Sequence, residues 1–119
     1  MSNYPATRPY GEHPLTPFVK STLQQTFAQA QWAAVTELLD SECGGNLPLI
    51  ESQGASGIER VQCAVLKISA GSLQRLQQAI KQAQVDWRDV LVAAGFANDP
   101  TVHLQWKPEV PPPESPESQ

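Results

Sequence analysis

The side chains in this 119-residue chain that could do chemistry are few and poorly matched. There are two histidines, His13 and His103. Neither has another histidine, a cysteine or a carboxylate at metal-ligand spacing. His103 follows Asp99 by four residues, but Pro100 lies between them, so the pair does not share a helix face. His103 is therefore expected at the surface or at a cleft edge. Cys43 and Cys63 form no CxxC pair, and no adjacent base is visible to lower either pKa. They read as reduced, partly buried thiols of a cytoplasmic protein. Gly54-Ala55-Ser56-Gly57 precedes a helix, yet it lacks the lysine of a phosphate loop and follows no clear strand. No catalytic residue, metal ligand or cofactor is predicted, and an enzyme is not the expected class.

One stretch does concentrate charge and aromaticity: Val85-Asp86-Trp87-Arg88-Asp89-Val90. It reads best as a helix start. Asp86 takes the cap position and Asp89 the third helical position, both at the positive end of the helix dipole. Val85 and Val90 have the spacing of a hydrophobic staple. Trp87 is expected to cover a seam between helices, with its N–H reaching water or a carbonyl. Arg88 is the misfit, because a cation in the first turn opposes the dipole. Its expected compensation is an intramolecular ion pair; the competing reading is a partner or ligand.

The elements that must position these groups are marked by caps and periodicity. Thr16-Pro17 opens a helix whose apolar residues Val19, Leu23, Phe27 and Ala30 recur every three or four positions. Trp32, Val35, Leu38 and Leu39 continue on a shifted stripe, which favours two helices meeting near Ala28–Gln31. Cys43-Gly44-Gly45-Asn46 is read as the stop, through residues able to take positive φ. Residues 46–56 form a connector in which Leu47, Leu49 and Ile50 tuck inward, with room for a short extended piece. Ser56 and Glu59 fit a capping box, and Ile58, Val61, Val65 and Ile68 predict a helix to Ala70-Gly71. The alternation of Val61, Cys63 and Val65 is the rival strand reading. Ser72 caps the next helix, which buries Leu73, Leu76, Ile80 and Ala83 and presents glutamines outward. The helix from Asp86 stops at Gly95. Beyond it, Thr101–Trp106 alternates, which predicts a strand or extended tail with Val102, Leu104 and Trp106 on one side. An unpaired strand of this kind could find its mate on a second copy, giving a homodimer.

The expected fold is all-α: a compact bundle of four to five short helices in one domain, residues 15–107. Residues 1–14 carry three prolines and 108–119 carry five, so a flexible N-terminal arm and an extended proline-rich, acidic C-terminal tail are expected. The net charge is −4, but the arms hold Glu12, Glu109, Glu114 and Glu117 against Arg8, leaving eight acids and seven bases between them. A near-neutral domain without a clustered basic patch argues against nucleic acid. Residues 73–83 and 87–94 superficially look like a helix-turn-helix, but there is no glycine in the turn and no basic second helix. No signal peptide and no membrane-length apolar run is read.

Residues 58–96 resemble a group of small bacterial proteins of unassigned function. The resemblance rests on Glu59-Arg60-Val61, Leu66-Lys67-Ile68-Ser69, Gly71-Ser72-Leu73 and Asp86-Trp87-Arg88-Asp89-Val90-Leu91, about a third of the chain. It implies a compact helical, cytoplasmic bacterial protein and brings no activity, ligand or site residue.

The sequence thus predicts a non-enzymatic protein-interaction module for an acidic or amphipathic protein partner, anchored by Arg60, Lys67, Trp87, Arg88 and Trp106. The alternatives are a small-molecule-binding or catalytic module with a pocket between helices, holding His103 and Arg88 together, and a weak nucleic-acid binder.

Overall fold

The computed structural model describes residues 15–48 and 50–108, so the N-terminal arm, Leu49 and the C-terminal tail after Pro108 lie outside the described residues. Four α-helices follow one another: α1 (Pro17–Thr26), α2 (Trp32–Glu42), α3 (Gly54–Ser69) and α4 (Leu73–Ala94). Short 3-10 turns lie at Gln29–Gln31, Ile50–Gln53 and Val102–Leu104. No strand occurs among the described residues. The all-α expectation holds.

The first two helices are separate. The Thr16 hydroxyl accepts the Val19 N–H, and Pro17 sits in the first turn. Val19, Leu23 and Phe27 are buried, but Ala30 is exposed, because α1 has already ended at Thr26. The chain turns through extended Phe27 and Ala28, and the Trp32 indole N–H donates to the Phe27 carbonyl at 2.8 Å. That bond fixes the joint between the two apolar stripes.

α2 does not stop as the glycines suggested. Cys43 leaves the helix at φ −137°, and Gly44 is not in the left-handed region. The helix end is closed by side chains instead. Asn46 donates to the Glu42 carbonyl and accepts the Gly44 N–H, while Gln62 and Gln84 donate to carbonyls of the last turn. Freed helix carbonyls need partners, and amide side chains supply them without any left-handed residue.

α3 is the centre of the molecule. Val61 to Leu66 are buried in an unbroken run, so this helix is enclosed on nearly every side. Enclosure also accounts for the strand-like alternation: where every position is inside, period tells little. α3 packs most extensively against α4 and also meets α1. Its start differs from expectation. The helix begins at Gly54, so Ser56 lies in the first turn, exposed, and forms no capping box. Nor is the connector before it extended; Ile50 is buried within a 3-10 turn, beside buried Leu47.

The α3–α4 turn matches expectation. Ala70 and Gly71 both take positive φ, 51° and 85°, and the Ser72 hydroxyl caps α4 by accepting the Arg75 N–H. A Cβ on Gly71 would come 3.0 Å from the Thr26 carbonyl oxygen, so this turn also needs glycine to lie against the end of α1.

α4 is two helical segments joined at Asp86, whose backbone is extended (φ −160°, ψ 101°). The predicted cap is there: Asp86 Oδ1 accepts the Arg88 N–H at 3.1 Å. The staple is not, because Val85 points into solvent while Val90 is buried. Gly95, at φ 80°, ends the helix as expected. Inward positions Ala79, Ala83, Trp87, Val90 and Ala94 keep three-four spacing through the kink, so one face stays inside along the full length.

Thr101–Trp106 overturns the alternation. It is a 3-10 turn that buries His103 and leaves Leu104 exposed, with Val102 and Trp106 half-buried. The strand that motivated a homodimer is therefore absent.

Candidate functional site

The outward face of α4 is the exposed surface with the most regular composition. Gln74, Gln78, Lys81, Val85, Arg88 and Val92 are spaced four, three, four, three and four, and all are exposed. That spacing puts them on one stripe, opposite the buried face. Val85 is 76% exposed and Val92 67%, one heptad apart. Between them Arg88 is clasped by the residue two positions back. Its Nε donates to Asp86 Oδ1 at 3.0 Å and its Nη2 to Asp86 Oδ2 at 3.2 Å. The cation that opposed the helix dipole is thus neutralised by the cap itself. The side-chain bonds from Arg88, then its backbone N–H, hold the Asp86 carboxyl below its ordinary range, and the same pair raises the guanidinium. On the N-terminal half, Arg75 and Lys81 are exposed with no acid between Leu73 and Val85.

The five residues predicted as anchors divide into two groups. Arg60, Lys67 and Trp106 surround Phe96 at the far end of α4. Arg60 donates to the Phe96 and Ala97 carbonyls, each at 3.0 Å. Lys67 donates to the Ala94 carbonyl at 2.9 Å and lies 5.0 Å from the centre of the Phe96 ring. Trp106 packs on the same ring. The two cations close the C-terminal end of α4, where freed carbonyls and the negative dipole end attract positive charge. Trp87 is buried, and its indole N–H donates to the Pro48 carbonyl at 2.6 Å. It covers a seam, as expected, and offers little surface. Arg88, clasped to Asp86, is the one of the five that lies on the exposed α4 stripe.

A cluster that the sequence reading missed lies at the start of α1. The Glu59 carboxylate accepts from the Thr16 hydroxyl at 2.6 Å through Oε2 and from His103 Nε2–H at 2.9 Å through Oε1. His103 is 1% exposed, not at the surface. Phe18 meets its ring edge-on and Phe96 at a tilt. Its Nδ1 has no hydrogen-bond partner among the described residues. A carboxylate fixing one ring nitrogen of a histidine is an arrangement shared with catalytic and metal-binding histidines. Here the other nitrogen, Nδ1, is enclosed among aromatic rings, whereas Arg88 is clasped by Asp86 in solvent. The sequence signal that could have found the pair was Glu59 itself, which the capping box had absorbed.

The thiols are inert by environment. Burial pushes Cys43 up to about 12, and burial followed by the nearby Glu59 charge pushes Cys63 up as well. Among the described residues, no three His, Cys, Asp or Glu side chains gather where they could hold a metal, and no helix is long and apolar enough to cross a membrane. No protein-family model, curated protein or solved structure matches this chain.

Proposed function

We propose that this chain is a non-enzymatic interaction module that binds an acidic or amphipathic protein partner along the outward face of α4. The observation that carries the reading is the pair Val85 and Val92, two apolar side chains one heptad apart on a solvent-facing stripe, with Arg88 between them. Isolated exposed valines are ordinary. Two at matched positions, flanking an arginine already held in a fixed pose, resemble the mixed apolar and guanidinium composition of interface centres. Holding Arg88 against Asp86 lowers the side-chain entropy lost on binding. The unopposed Arg75 and Lys81 favour carboxylates on the partner next to that half of the helix. Arg60 and Lys67 hold the C-terminal end of α4, and Trp87 anchors the same helix to Pro48, so these predicted anchors fix the helix that carries the stripe. A cytoplasmic setting belongs to the same reading, in keeping with two free buried thiols.

The test compares the full chain with its Val92→Asp variant as bait in extract from the native cell. A partner retained by the wild type and lost by a variant of unchanged melting temperature supports the reading. Equal retention by both overturns it.

A further inference from the structure

The segment after α4 is held as a ligand would be held, and we propose that it exchanges between two copies of the chain. Residues 102–108 form no continuous secondary structure with the bundle. Two side-chain contacts seat them: His103 reaches Glu59, 44 positions earlier, and Trp106 packs on Phe96. Phe18 adds an edge against the imidazole. Every one of these contacts joins a residue after Pro100 to a residue before it.

The near side of the crossing is fixed separately. Arg60 grips the Phe96 and Ala97 carbonyls, so the chain is anchored up to Ala97 whatever follows. Between the anchor and the seated segment lies a short hinge, Asn98-Asp99-Pro100-Thr101, all four residues exposed. What bends it back is local: Asp99 Oδ1 accepts from the Thr101 N–H and the Thr101 hydroxyl, each at 2.8 Å. Straightening those four residues breaks these two exposed bonds and the backbone bond from the Val102 N–H to the Asp99 carbonyl at 3.2 Å, and lets His103 of one copy meet Glu59 of the other. All buried contacts re-form unchanged, because both copies carry the same seat and the same segment. Exchange of an identical element is a low-cost route to a dimer, and its extent rises with concentration. The occupant is thereby specified: a second copy, contributing His103 and Trp106 to a seat made by Phe18, Glu59 and Phe96. This inference does not rest on the α4 surface.

The experiment measures molar mass by light scattering on the full chain. Wild type is expected to show a dimer fraction that rises with concentration. Next, the Glu59→Ala chain, whose seat is broken, is mixed with the His103→Ala chain, whose segment is broken. The mixture is expected to form a heterodimer that neither variant forms alone. Wild type that remains monomeric up to its solubility limit overturns the proposal, even if a variant fails to fold. A mixture that yields no heterodimer although both variants fold also overturns it, because the seat of one copy then does not take the segment of another.

Discussion

His103 and Glu59, 44 residues apart, meet at 2.9 Å, and the Glu59 carboxylate is shared with the Thr16 hydroxyl that caps α1. One side chain of α3 therefore pins both the first helix and the 3-10 turn at Val102–Leu104. Glu59→Ala would leave the buried Nε2–H and the Thr16 hydroxyl without their acceptor. An orphaned buried donor costs about 1–3 kcal/mol. In a domain near 100 residues, each kcal/mol lowers Tm by roughly 4–8 °C. Thermal unfolding should show that loss for Glu59→Ala and for His103→Ala. The double variant should lose less than the two together, since they share one contact.

Gln62 is almost fully buried and donates its amide to the Cys43 carbonyl at 3.0 Å and the Leu39 carbonyl at 3.5 Å. Gln62→Leu keeps the bulk and removes the donors. The expected cost is again about 1–3 kcal/mol, despite the gain in hydrophobicity. Urea denaturation should show a lower midpoint with an unchanged slope. A variant as stable as wild type would mean that the end of α2 does not depend on this amide.

The acid limb of stability should carry the mark of Asp86 and Asp99. Asp86 is held low by Arg88, and Asp99 by the backbone and then the side chain of Thr101. A carboxyl with a folded pKa below its unfolded value stabilises above the unfolded value, about 3.9 for aspartate. That stabilisation fades as pH falls through the folded value. Asp86→Asn with Asp99→Asn removes both charges and leaves capping oxygens in place. The Tm gap between wild type and this double variant should be widest near neutrality and close as the solution becomes strongly acidic. A gap that stays constant would show that neither carboxylate has a depressed pKa.

The cysteines should be silent in the native protein. With Cys43 pushed up to about 12 and Cys63 also raised, almost no thiolate exists at neutral pH, and both sulfurs are buried. A chromogenic disulfide reagent should label neither thiol until denaturant is added, then both. Fast labelling of the folded chain would contradict the packing around α2 and α3.

Much of the architecture was readable from local signals because the chain marks its helices locally. Thr16-Pro17, Ser72, Asp86 and Gly95 each do what their residue type predicts, and the kink at Asp86 is the cap that the sequence announced. What could not be read was every tie that spans the sequence. Glu59 has the spacing of a capping box with Ser56 and instead serves residues 16 and 103. Cys43-Gly44 has the composition of a left-handed stop, yet α2 is ended by amides from Asn46, Gln62 and Gln84. Arg60 and Lys67 look like free cations until α4 brings its terminal carbonyls to them. In the Thr101–Trp106 stretch, the buried residue was the polar one, because Glu59 was waiting for it.

A single helix thus supplies the terminations of its neighbours: Glu59 to α1 and the last turn, Gln62 to α2, Arg60 and Lys67 to α4. Each of these neighbours closes one of its ends at least partly on α3. Unfolding should accordingly be all-or-none, with no partly melted bundle along the way. Fragments cut before Gly54 would fray, and the slowest amide exchange in the molecule should lie in Val61–Leu66.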